Sequence, residues 1–173
     1  MAYDLKYDSL LRAIQIGDES EAIALFESKL YDVNQGIDYV FEDGKMFTIT
    51  PLYWAVRHDC PEVCKYLLAK RARPYPDMVY EYYPLHEACN RGYDKVVQEF
   101  VNAKCDIDRV NADQDSPLHV ACMRGHIQCV HILLRAKADC SLKNKLGHTP
   151  LQCAVYHNRT DLVELFKAHN QGM

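Results

Sequence analysis

The chain predicts an all-α repeat solenoid of stacked helix pairs, and three observations carry that prediction. Pro51, Pro84, Pro117 and Pro150 follow one another at steps of 33 residues. Leu52, Leu85, Leu118 and Leu151 come directly after them, and Ala55, Ala88, Ala121 and Ala154 stand three residues further on. The same step links Val63, Val96, Cys129 and Leu162, then Leu67, Phe100, Leu133 and Phe166. Coincident columns at one fixed period of this size mark a repeat array rather than a single layered core.

One unit reads directly from its columns. Thr50, Ser116 and Thr149 precede the prolines, giving a hydroxyl cap followed by proline at the first helical position. Leucine and alanine three apart put one large and one small apolar residue on a single face of that helix. Seven residues after each leucine stand Asp59, Gly92, Gly125 and Asn158, types that accept a left-handed backbone, so the helix ends in a tight turn. A second helix follows, with apolar residues spaced as Val63, Leu67 and Leu68 or Cys129, Leu133 and Leu134. A polar loop carrying Asp106, Asp108 or Asp139 leads to the next unit.

Residues 1–48 read as a degenerate leading unit. Asp8 serves as the expected cap, Leu10 and Ala13 repeat the three-residue spacing, Gly17 supplies the turn, and Leu25-Phe26 matches Leu67-Leu68. From Leu10 to Leu52 is 42 residues, nine more than one period, so an insertion falls in the loop from Asp32 to Thr48. Tyr39-Val40-Phe41 followed by Glu42-Asp43-Gly44-Lys45 predicts an elongated hairpin with an Asp-Gly turn there.

Tyr83-Pro84-Leu85-His86-Glu87-Ala88 and Ser116-Pro117-Leu118-His119-Val120-Ala121 resemble the Thr-Pro-Leu-His-x-Ala signature of ankyrin repeats. Arg124-Gly125-His126, Ile132-Leu133-Leu134 and Ala138-Asp139 extend the resemblance, which covers about residues 49–169. It implies helix pairs with loops projecting at right angles as β-hairpin fingers, and a non-catalytic role in protein recognition through the fingers and the concave inner helices. The chain then divides as one domain over 1–173: the leading repeat 1–48, repeats 49–81, 82–114 and 115–147, and a capping repeat 148–173.

Departures from the signature carry physical consequences. Tyr83 lacks the small hydroxyl, which weakens the start of its helix by about 1 kcal/mol. Arg71, Lys104 and Lys137 replace the glycine usual after the second helix, at a left-handed cost partly offset by a cation near the helix C-terminus. Arg73-Pro74-Tyr75-Pro76 loses an aspartate and two backbone donors, predicting an irregular finger. The column Leu68, Val101, Leu134 ends in Lys167, which makes an outer face wettable as a terminal cap requires, whether the array ends here or a longer protein continues.

Composition excludes several classes. At 49% apolar and 25% charged residues the chain is neither disordered nor fibrous. No uncharged apolar run approaches the roughly 20 residues that span a bilayer, and Met1 to Asp8 hold no apolar signal core, so the expected place is the cytoplasm and also the nucleus. A net charge of −4 argues against nucleic acid, and Lys70-Arg71-Ala72-Arg73 reads as a solvated helix end. The eight cysteines read as reduced, buried thiols. Neither Cys60 with Cys64 nor Cys122 with His126 has a second pair at zinc-site distance, so no metal or other cofactor is expected.

Catalytic patterns are equally absent from the sequence: there is no Gly-rich phosphate loop, no Gly-x-Ser-x-Gly and no His-Glu-x-x-His. His86, His119 and His126 read as hydrogen-bonded ties between turns, Cys89, Cys122 and Cys153 as small hydrophobes, and Asp113 with Asp115 as solvated finger acids. The expectation is a monomeric, non-enzymatic module that binds a protein.

Its candidate surface follows from position. Trp54, Glu87, Val120 and Cys153 are expected to point away from the repeat interior, beside Arg57 and His58, Asn90 and Arg91, Met123 and Arg124, Tyr156 and His157 at the helix ends. Trp, Arg, Met and Tyr are the types enriched at binding hot spots. The partner-binding candidates are Trp54, Arg57, Glu87, Arg91, Met123, Arg124 and Tyr156, with Tyr80 and Tyr82 from one finger and Phe41 from the long one. Packing of Trp54 against the leading repeat, and of the tyrosines within their hairpin, stays open. Two narrower roles are also open. Pro84 to Cys89 is similar to repeats of the ankyrin and SOCS-box substrate receptors of cullin ubiquitin ligases, although no SOCS-box-like segment follows residue 169. The other is a stand-alone inhibitor of a kinase or transcription factor.

Overall fold

A computed structural model describes residues 7–40, 46–74 and 83–171, without the side chains of Val40, Met46, Phe47, Asn170 and Gln171. The chain divides into two compact units, Met1–Tyr80 and Glu81–Met173.

In the first unit the helices are α1 (Asp8–Gln15), α2 (Glu19–Glu27), α3 (Pro51–Arg57) and α4 (Pro61–Ala69), with a hairpin of β1 (Ile37–Val40) and β2 (Met46–Ile49) between the pairs. Inner helix α1 packs on inner α3, and outer α2 on outer α4. Leu10, Ile14, Leu52, Val56, Val63 and Leu67 are fully enclosed between the two layers. The second unit repeats the plan three times, with α5 (Pro84–Arg91), α7 (Pro117–Arg124) and α9 (Pro150–Tyr156) inside and α6 (Asp94–Asn102), α8 (Ile127–Arg135) and α10 (Thr160–Gln171) outside. Its core holds Leu85, Phe100, Leu118, Leu133 and Leu162. The alanine column is buried throughout, as close approach of neighbouring inner helices requires.

Helix starts follow the capping residues. Thr50, Ser116 and Thr149 each accept a backbone N–H from three residues on, at 3.2, 3.4 and 3.3 Å. Tyr83 makes no such bond. Asp8 does not cap α1 as expected: it is the first helical residue, Tyr7 stands before it, and the carboxylate lies in the first turn where the helix dipole favours it. Turn residues behave as their types dictate, with φ of 53° at Asp59, 78° at Gly92, 83° at Gly125 and 56° at Asn158. Arg71, Lys104 and Lys137 are left-handed as well. Their strain is tolerated because two amides fold back on the outer helix at each end, as Lys104 N to Val101 O and Cys105 N to Phe100 O do at 3.0 and 3.1 Å.

The inserted loop is a hairpin, with Ile37 paired to Ile49 and Tyr39 to Phe47. Its turn, with Phe41, lies outside the described residues. In the second unit the fingers differ from the β-hairpins the resemblance implies, being tight turns without strands in the described residues. Asn111 and Asn144, one period apart, build them. Each side-chain oxygen accepts two amides, from Asp113 and Asp115 at 2.9 Å and from Leu146 and His148 at 3.1 Å. These bonds close each loop locally and leave no length for a ladder. Asp115 is thereby buried, not solvated as expected, and its Oδ1 accepts Asn144 Nδ2 at 2.9 Å.

Candidate functional site

Within each unit, residues that follow inner-helix turns tie one repeat to the one before it. Cys60 Sγ donates to Ile14 O at 3.4 Å, His126 Nε2 to Asn90 O at 3.1 Å, and Arg159 Nε to Met123 O at 3.2 Å. All three occupy one repeat column; the His126 and Arg159 bonds satisfy C-terminal helix carbonyls that accept no backbone amide among the described residues, whereas Ile14 O also accepts the Gly17 amide at 3.0 Å. In the second unit the inner-helix ends are therefore tied to one another, which makes them a usable platform.

On that platform in the second unit Arg91, Arg124 and His157 stand one period apart, and all three are exposed. Arg91 Nε is held by Glu87 Oε1 at 2.6 Å, and this neighbour raises the guanidinium pKa further. Arg124 Nε donates to Asn90 Oδ1 at 2.7 Å, which leaves its terminal nitrogens facing solvent. Tyr156 is 70% exposed, with its ring 5.7 Å from that of His148 and 5.3 Å from that of His157. Met123 is half-buried beside Arg124.

The column ahead of these residues behaves differently from expectation. Trp54 is buried, its Nε1 donating to Leu11 O at 3.0 Å and its ring lying 4.6 Å from Tyr39 and 4.4 Å from His58. It clamps the long hairpin onto the leading repeat instead of facing a partner. Val120 and Cys153 are also buried, and the Glu87 side chain is only 12% exposed. Burial of Trp54, Val120 and Cys153 removes this column from the open face. Arg57 is half-buried, and Tyr80 and Tyr82 lie outside the described residues.

Side chains of chemically reactive types are held by the fold. His86 Nε2 donates to Asp115 O at 2.9 Å and His119 Nε2 to His148 O at 3.0 Å. His119 Nδ1 accepts the Ser116 amide at 3.2 Å, so this ring is neutral with its proton on Nε2. Burial pushes the pKa of both histidines below the ordinary value. Burial also pushes the Cys60 and Cys129 thiols up to about 12 and raises Cys89, Cys122 and Cys153, so none is a nucleophilic thiolate at neutral pH. Among the described residues no group of three or more His, Cys, Asp or Glu is placed to hold a metal ion, and no helix is long and apolar enough to cross a membrane.

A groove of about 570 Å³ opens in the first unit between α1 and β1, lined by Leu11, Arg12, Ile16, Ile37, Asp38 and Tyr39 among others. Sequence reading missed it, because it exists only where the inserted hairpin lies against α1. The roles of Asn111 and Asn144 were missed too, although their 33-residue separation was a signal in plain view.

Residues 85–172 match the family model described as ankyrin repeats in three copies, and residues 49–78 match that of a single ankyrin repeat. The chain belongs to the ankyrin-repeat family. A search of curated proteins finds no match to it. Ankyrin repeats are generally protein–protein interaction modules and are typically non-catalytic. In this ankyrin array the signature histidines His86 and His119 do the structural work described above.

Proposed function

We propose that this ankyrin domain is a non-catalytic recognition module that binds a segment of a partner protein. In the second unit the segment lies across Arg91, Met123, Arg124 and Tyr156, joined by His157. One observation carries the reading: Arg91, Arg124 and His157 recur, exposed, at a single repeat position at the ends of neighbouring inner helices, with Met123 and the exposed Tyr156 beside them. Affinity comes from a preorganised surface with a few arginine and aromatic anchors. Arg57 serves as a contact of the first unit, and Trp54 contributes only by holding that unit together. Buried thiols suit a reducing compartment, the cytoplasm or nucleus.

Affinity capture from cell extract with the full chain and with an Arg124→Ala/Tyr156→Ala variant of equal stability tests the reading. Proteins retained by the wild type and lost by the variant are the expected result. Identical profiles would remove this face as the binding site. Cullin subunits among the retained proteins would assign the adaptor role, and loss of a captured kinase's or transcription factor's activity would assign the inhibitor role.

A further inference from the structure

From the charge on this face we infer that the partner segment is acidic, extended, and followed by an apolar or aromatic residue; the inference rests on the recognition surface proposed above. Inner helices α5, α7 and α9 carry one acid, Glu87, and it is turned onto Arg91. Arg124 and Arg159 have no acid within ion-pair distance among the described residues. Asp94 and Asp161 open the outer helices nearby, exposed, and pair with neither. The other described acids in this unit belong to fingers and outer helices. Residues 81–173 hold 11 acids and 11 Lys and Arg, so the cationic row is a segregation of charge and not a reflection of a basic domain.

Two further details favour a carboxylate-bearing segment over other anions. Arg91 and Arg124 each commit Nε to a fixed oxygen, which orients the guanidinium; in Arg124 this leaves the outer edge for a planar, two-oxygen acceptor, while Arg91 also interacts with Tyr93. Tyr156, with its ring largely bare and edged by His148 and His157, offers an apolar face at one end of the row rather than a second phosphate contact. Spacing sets the length. Neighbouring packed helices stand about 9 Å apart, and a three-residue-per-turn extended chain advances about 3.1 Å per residue. Acids about three residues apart on such a segment meet Arg91 and Arg124 in turn, and the next such position reaches Tyr156.

A library of twelve-residue peptides, selected on the immobilised full chain and then measured by fluorescence anisotropy, tests this. Selected peptides are expected to be enriched in Asp and Glu at three-residue spacing. Their affinity should fall on the order of tenfold when Glu is changed to Gln, or in the Arg91→Gln/Arg124→Gln variant, and should weaken as salt rises. Glu87→Gln, which releases Arg91, should tighten binding. Both variants are compared with wild type by circular dichroism melting. Peptides that bind and depend on Tyr156 but show no acidic enrichment would overturn the charge inference and spare the recognition surface. Selected peptides that bind the Arg91→Gln/Arg124→Gln and Tyr156→Ala variants as well as wild type would overturn both. A twelve-residue thymidine oligonucleotide that binds the row more tightly than any acidic peptide would replace a protein segment by nucleic acid.

Discussion

The imidazole of His126 lies directly over Gly92. A Cβ on residue 92 would stand 2.5 Å from His126 Nδ1, while the other ring nitrogen donates to Asn90 O at 3.1 Å. Gly92 is thus required twice, for its φ of 78° and for the ring that crosses it. Gly125 stands in the same relation to Arg159, whose Cδ would be 3.0 Å from a Cβ there. Gly17 has the same φ of 78° with nothing within 4 Å.

The pair Gly92 and Gly17 separates backbone strain from crowding. Gly17→Ala should cost about 1 kcal/mol, the left-handed penalty alone. Gly92→Ala should cost about 2–3 kcal/mol, because the His126 bond is lost as well. Denaturant unfolding of both, and of Gly92→Ala in a His126→Ala background, measures the coupling. In that background the cost should return to the Gly17 value.

Tyr83→Thr should stabilise the second unit. His86 Nδ1 is buried without a hydrogen-bond partner among the described residues, whereas His119 Nδ1 is satisfied by Ser116. A threonine supplies the missing cap, a gain of about 1 kcal/mol, offset in part by loss of the Arg109 contact with the Tyr83 ring at 5.8 Å. A lower melting temperature for the variant would show that the ring contact outweighs the cap.

Acid should weaken the array through His86 and His119. Both have folded-state pKa values lowered by burial, so the unfolded chain binds the proton more readily. Their contribution is complete above the ordinary histidine value of 6.5 and is lost as pH falls below it. His119→Gln copies Gln152, which occupies the same column and makes the same capping box. It should cost about 1 kcal/mol at pH 7 through loss of the His148 bond, and flatten the decline in melting temperature between pH 7 and pH 5. An unchanged pH profile would show that His119 does not carry the decline.

Trp54→Ala should unfold the first unit at markedly lower denaturant, by about 3–5 kcal/mol. Trp54→Phe should retain much of the packing yet cost about 1–3 kcal/mol, because Leu11 O loses its donor in a buried place. Little change in either variant would return Trp54 to the surface.

The repeat period, the capping hydroxyls at 50, 116 and 149 and the left-handed positions at 59, 92, 125 and 158 were legible in the sequence, because each depends on bonding within a few residues of its own position. So was the structural use of His86 and His119, since the same residue one period apart meets the carbonyl one period apart, Asp115 O and His148 O. Which inner-helix residues stay exposed was not legible from spacing alone. Trp54, Val120 and Cys153 occupy a column that looks outward on an isolated helix, yet the neighbouring helices close over it. Asp115 looked like a solvated acid until Asn144 of the next finger reached it. The sequence by itself determined the repeat and its local geometry. Only the tertiary structure decided the surface, because exposure is set by what packs alongside, and the inserted hairpin over Trp54 obeys no period.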